Sequence, residues 1–114
     1  MTLFCFDVDG TLDCSNGPII VAMLDLLAQS TSPYTVVIVS PSGAYTGGLP
    51  RIANNATRKE NLIAAREAFT AQHGHSPLVC LYVSDNKDYT EAEAAGFAYI
   101  EASEFAKIAR VGRV

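Results

Sequence analysis

Leu3-Phe4-Cys5-Phe6-Asp7-Val8-Asp9-Gly10-Thr11-Leu12 runs from an uninterrupted apolar tetrad straight into two carboxylates and a glycine. Apolar character on every residue, rather than on alternate ones, predicts a strand buried on both faces, as in parallel sheets covered by helices. Asp7 and Asp9 are two residues apart, so they point to the same side of the pleat where that strand ends. Like charges held that close repel. They are tolerated when a hard divalent cation sits among them, or when one of the pair is protonated and works as an acid. Two other readings compete. Asp9-Gly10 between apolar stretches is a hairpin signal. Alternating acids also open a calcium loop, but counting from Asp7 puts Leu12 where the glycine of such a loop belongs and Pro18 where its closing glutamate belongs, which excludes it.

Outward from this stretch, strands and helices alternate. Gly17-Pro18 opens a helical pattern through Ile19, Ile20, Met23, Leu24 and Leu27, with proline suited to the first turn. Val36-Val37-Ile38-Val39-Ser40, bounded by Pro33 and by Pro41-Ser42-Gly43, predicts a second buried strand. Ala44 to Ala56, broken by Gly47-Gly48 and Pro50, predicts a loop. Thr57-Arg58-Lys59-Glu60 matches a capping box, and Leu62, Ile63, Ala65, Arg66 and Phe69 continue a helix that stops at Gly74. Leu78-Val79-Cys80-Leu81-Tyr82-Val83 is a third buried strand, ending in Ser84-Asp85-Asn86-Lys87-Asp88. A short helix from Tyr89 to Ala95 closed by Gly96, a strand from Phe97 to Ile100, and a helix capped by Ser103 and running through Phe105 and Ile108 complete the pattern.

This alternation predicts an α/β protein: a three-layer, Rossmann-like fold with a mostly parallel central sheet, in which ligands bind beyond the carboxyl ends of the strands. Asp7, Asp9, Ser40, Asp85 and Asp88 all fall at those ends. A hairpin at Asp9-Gly10 does not explain why three strands end in polar groups on one rim.

The 114 residues, 49% of them hydrophobic, suffice for one core, so residues 1–114 are read as a single domain. The longest apolar stretch, Pro18 to Leu24, is interrupted by Asp25 and is too short for a bilayer. No basic region precedes the first apolar run, so a soluble, cytoplasmic protein is expected. A formal charge of −4 gives no general attraction to nucleic acid or anionic lipid, although a local basic patch is compatible with it. Cys5, Cys14 and Cys80 form no CxxC pair and read as packing residues. His73 and His75 flank Gly74 at a helix end, where cations suit the dipole. Arg58 and Lys59 do the reverse, placing positive charge at a helix N-terminus. They need solvation or an anion there, and a phosphate is an anion that such a terminus already favours.

With these residues in view, the chain resembles the haloacid dehalogenase-like hydrolase superfamily over nearly its whole length. FDVDGTL resembles that superfamily's first motif, VVIVS its second, the cation at the start of the second helix its third, and SDNKD followed by EAEAAGF its fourth. The resemblance implies a Mg2+-dependent phosphatase that hydrolyses a phosphate monoester through an aspartyl phosphate. Asp7 would be the nucleophile and Asp9 the general acid and base. Lys59, or Arg58 if the order is reversed, would be the cation that neutralises developing charge. Gly10, Thr11, Ser40, Ser42 and Arg58 would contact the substrate. Asp7, Asp9 through its backbone carbonyl, Asp85 and Asp88 would hold Mg2+. Asp88-Tyr89-Thr90-Glu91 reads equally as a capping box, and Ser40 as a serine turn before Pro41.

Two departures stand out. The fourth motif carries Ser84 where a glycine is usual, and only Asn86-Lys87 separate Asp85 from Asp88, so that either Ser84 or Asp85 falls at the metal position. Neither interval between motifs has room for a cap domain. An open site favours a phosphorylated substrate with its own bulk, such as a macromolecule, or a neighbouring subunit of a homo-oligomer acting as lid. The alternatives are a non-catalytic phosphate- or Mg2+-binding regulatory module on the same scaffold, and a receiver domain. A receiver domain has its phosphorylated aspartate after a middle strand, where this chain has Ser40.

Overall fold

The computed structural model describes residues 1–15, 17–29, 33–45, 47–85 and 88–111. Eight elements alternate in the expected order: β1 (Thr2–Phe6), α1 (Gly17–Leu27), β2 (Tyr34–Ile38), α2 (Arg58–His73), β3 (Val79–Ser84), α3 (Tyr89–Ala94), β4 (Ala98–Glu101) and α4 (Ala102–Val111). The four strands form one sheet in the order β2-β1-β3-β4, and every pairing is parallel.

Alternation along β1 separates the two cores. Phe4 and Phe6 pack with Ile20, Leu24 and Phe105 under α1 and α4. Leu3 and Cys5 pack with Leu62, Phe69 and Ala92 under α2 and α3. The result is a three-layer, Rossmann-like sandwich with no cap domain among the described residues. Because β1 connects to β2 on one side while β2 connects past β1 to β3 on the other, the chain reverses direction between β1 and β3. A crevice opens at such a reversal, outside the carboxyl ends of the two strands.

The capping box at Thr57 forms as expected, with Glu60 N–H on the Thr57 hydroxyl and the Glu60 carboxylate on Thr57 N–H, and Gly74 ends α2 at φ 78°. Two expectations shift, and the competing hairpin reading of Asp9-Gly10 is excluded. The second strand lies at Tyr34–Ile38 rather than Val36 to Ser40, although Val39 N–H still donates to Phe6 O on β1 at 3.0 Å; the outer edge at Ile38 meets the following loop, where Pro50 O accepts Ile38 N–H at 2.8 Å and Ile52 N–H donates back to Ile38 O at 2.9 Å. Proline is tolerated at such an edge because only its carbonyl is used. The last strand is Ala98–Glu101, and the helix after it is capped by Glu101, whose carboxylate accepts Ser103 N–H at 2.7 Å and also the Ser103 hydroxyl. Ser103 is therefore inside α4, not its cap. Finally, Asp9-Gly10 makes no hairpin. Thr11, Leu12 and Asp13 N–H all fold back onto Val8 O, at 3.1, 2.9 and 3.0 Å, and the chain proceeds to α1.

Candidate functional site

Asp7 follows β1 directly. Its N–H extends the ladder to Val83 O on β3 at 3.0 Å, which seats it at the reversal between the two strands. It is 1% exposed. Oδ1 accepts Val8 N–H at 2.9 Å and Arg58 Nη1 at 2.9 Å, and these two donors fix the plane of the carboxylate. Gly10, in the left-handed region at φ 76°, carries the chain around the turn. A Cβ on Gly10 would land on the Asp85 carboxylate, so only glycine lets the turn after β1 close on the end of β3.

Asp9 is exposed at the rim and accepts the Ser42 hydroxyl at 2.8 Å. Ser42 belongs to a loop built around Ser40 and Arg51. The buried Ser40 hydroxyl accepts Ser42 N–H at 3.2 Å, which is the serine turn anticipated before Pro41. Arg51 then donates to three carbonyls, of Ser40 at 2.5 Å, Ser42 at 2.7 Å and Tyr45 at 2.6 Å. A guanidinium with five donors in a rigid fork suits that task. Nothing in the sequence marked Arg51, since a cation in a weakly patterned loop has no periodicity to betray its partners.

The cation on Asp7 is Arg58, and this corrects the preference for Lys59. Arg58 projects inward to Asp7 and to the Tyr82 hydroxyl, at 3.0 Å, whereas Lys59 is exposed and meets the neighbouring element through its backbone, its N–H donating to the Glu91 carboxylate at 3.0 Å. Successive residues of a helix point about 100° apart, so only one of the pair can face the sheet. Burial pulls the Arg58 pKa down, but Tyr82, Asp7 and Asp88 around it more than offset this, and the net shift is upward.

Thr11, like Asp7, is buried, and its hydroxyl has no hydrogen-bond partner among the described residues. Ser84 and Asp85 part company. The Ser84 hydroxyl donates to the Tyr99 hydroxyl at 3.1 Å, and Tyr99 in turn donates to Ser84 O at 3.0 Å, while Asp85 stands against Gly10. Of the two, Asp85 is the residue brought to the crevice. Asp88 precedes α3 with left-handed backbone, φ 61°, and makes no side-chain cap bond, so the capping reading does not describe it. Its Oδ2 accepts the Tyr82 hydroxyl at 3.2 Å. Burial raises its pKa, opposed by the Arg58 charge. In the sequence Tyr82 is one more member of an apolar strand, with nothing local to mark its hydroxyl. Burial, with Asp7 next, pushes its phenol far above the usual range. Asn86 and Lys87, between Asp85 and Asp88, lie outside the described residues.

Hard oxygen donors therefore gather at the reversal: the Asp7 and Asp85 carboxylates and the backbone around Asp9. These are the residues that could hold a hard cation such as Mg2+, which takes one or two carboxylates and keeps several waters. No group of three or more histidine, cysteine or acidic side chains arranged to hold a metal is found among the described residues, and a site of the Mg2+ kind does not need one. No helix among the described residues is long and apolar enough to cross a membrane.

The fold and this rim together define a Rossmann-like α/β protein with acidic residues gathered at its strand reversal. Comparisons of the chain with family models, with characterised proteins and with solved structures give no match.

Proposed function

We propose that the protein is a Mg2+-dependent phosphatase that cleaves a phosphate monoester through an aspartyl phosphate on Asp7. The observation that carries this reading is that Arg58 bonds Asp7 and Asp85 stands against Gly10 at the carboxyl ends of the neighbouring strands β1 and β3, from three separate parts of the chain. The Asp7 carboxylate attacks phosphorus and needs no base of its own. Arg58 Nη1, already on Asp7, neutralises charge that builds on the phosphoryl oxygens. Asp9, exposed at the mouth, meets both the departing group and bulk water, as a residue must that first gives a proton to the leaving oxygen and then takes one from the hydrolytic water. The Ser42 hydroxyl on Asp9 sets its orientation. Mg2+, when bound through Asp7, Asp85 and the Asp9 carbonyl, would supply Lewis-acid stabilisation of the phosphoryl oxygens.

With no cap among the described residues, the substrate supplies its own cover, which favours a phosphorylated macromolecule. The free cysteines Cys5, Cys14 and Cys80 accord with a reducing, cytoplasmic setting. Hydrolysis of an aryl phosphate, with and without EDTA, in wild type and Asp7→Asn tests the proposal. Turnover that EDTA abolishes and Asp7→Asn lacks is expected. Turnover that survives the substitution sinks it, and phosphate or Mg2+ binding without turnover points to the regulatory module instead.

A further inference from the structure

Tyr82 is the largest fully buried side chain among the described residues, and it lies in a central strand whose flanking positions are apolar. A phenol placed there needs partners for its hydroxyl. It has two. Arg58 Nη1 donates to it at 3.0 Å, and it donates to Asp88 Oδ2 at 3.2 Å. The direction is forced, because a guanidinium only donates and the phenol has a single proton to give. The same Nη1 donates to Asp7 Oδ1 at 2.9 Å, and the guanidinium carbon stands 6.0 Å from the centre of the Tyr82 ring. Asp88 meanwhile adopts left-handed backbone and leaves the first turn of α3 without a side-chain cap. Its carboxylate is aimed at the phenol rather than at the helix it precedes.

We infer that Tyr82 is a positioning residue: its hydroxyl, oriented by Asp88, fixes the Arg58 guanidinium on Asp7 and so sets where positive charge meets the phosphoryl group. The inference rests on the phosphatase reading. A single bond from Nη1 to Asp7 leaves the long arginine side chain free to pivot about that bond, and the phenol behind it removes this freedom. Misplacing a charge by about 1 Å at a reacting centre costs on the order of 100-fold in rate.

The experiment is a double-mutant cycle of Tyr82→Phe and Arg58→Ala, which keeps the ring in the core and removes only the hydroxyl, read as kcat and KM for an aryl phosphate. Tyr82→Phe is expected to lower kcat by about 10-fold with KM little changed, and to have no effect in the Arg58→Ala background, because residues that act through one another are not additive. An equal loss in both backgrounds, or no loss in wild type, overturns the inference. Should wild type show no turnover, the phosphatase reading fails separately, and the same four proteins are compared for inorganic phosphate affinity by calorimetry. Weakening by Tyr82→Phe only when Arg58 is present then upholds the positioning role, and any other pattern, including no binding, rejects it.

Discussion

Arg58 Nη1 sits 2.9 Å from Asp7 Oδ1, so the first residue of α2 closes on the residue that follows β1, 51 positions earlier. The pair is largely buried, with side chains 16% and 2% exposed. A cation at a helix N-terminus opposes the dipole, and here the carboxylate of another element supplies the compensating charge.

That geometry separates two adjacent cations. Arg58→Ala should lower turnover of an aryl phosphate by about 100-fold or more, the scale of losing one preorganised charge at a reacting centre. Lys59→Ala should stay within about twofold, as an exposed side chain outside the site. Steady-state kinetics on the two variants decides it, and the reverse ranking would restore Lys59.

Gly10→Ala combines an unfavourable backbone with a collision. The left-handed φ of 76° costs an L-residue about 1–2 kcal/mol, and the added methyl meets the Asp85 carboxylate. Urea denaturation should show a loss of at least that size, and calorimetry should show weakened Mg2+ binding. A variant of wild-type stability would mean that Asp85 does not pack against the turn.

Arg51→Lys should loosen the loop that carries Ser40 and Ser42, since one ammonium cannot reproduce the fork that reaches the carbonyls of Ser40, Ser42 and Tyr45. A stability loss of about 0.5–1.5 kcal/mol is expected, the net scale of a hydrogen bond at partly exposed carbonyls. Limited proteolysis should cut faster between residues 41 and 49 than in wild type.

Glu101 supplies the pH-dependent case. The Ser103 hydroxyl and N–H hold its carboxyl below the ordinary value of 4.5. A depressed folded pKa means that the unfolded state binds more protons, so this contribution is present above pH 4.5 and is lost as pH falls from there through the folded value. Glu101→Gln should therefore cost about 0.5–1 kcal/mol at pH 7, the scale of a helix cap. The gap to wild type should close in acid. Denaturation at pH 7 and pH 3 measures both, and a gap independent of pH would rule out the carboxylate as the cap.

Local patterns carried most of the architecture. Continuous apolar runs mark β1, β2 and β3 because a strand covered on both faces has no polar side to show, and Thr57 and Gly74 mark the ends of α2 because unpaired backbone groups there demand those residues. The acids at the strand ends were legible for the same reason, a charge being expelled from the apolar run that precedes it. Partners across the fold were not legible. Whether Arg58 or Lys59 turns inward depends on the rotation of α2 against the sheet, and whether Ser84 or Asp85 reaches Gly10 depends on where β3 ends beside β1.

The strands, the helices and the acids at the strand ends follow from short-range periodicity and backbone chemistry, which any window of a few residues displays, and their alternation along the whole chain implies the parallel arrangement. Tyr82 on Arg58, Arg51 on the loop carbonyls and Asp88 turned away from its helix arise only when distant segments pack, because each depends on a side-chain direction that the neighbouring residues do not constrain.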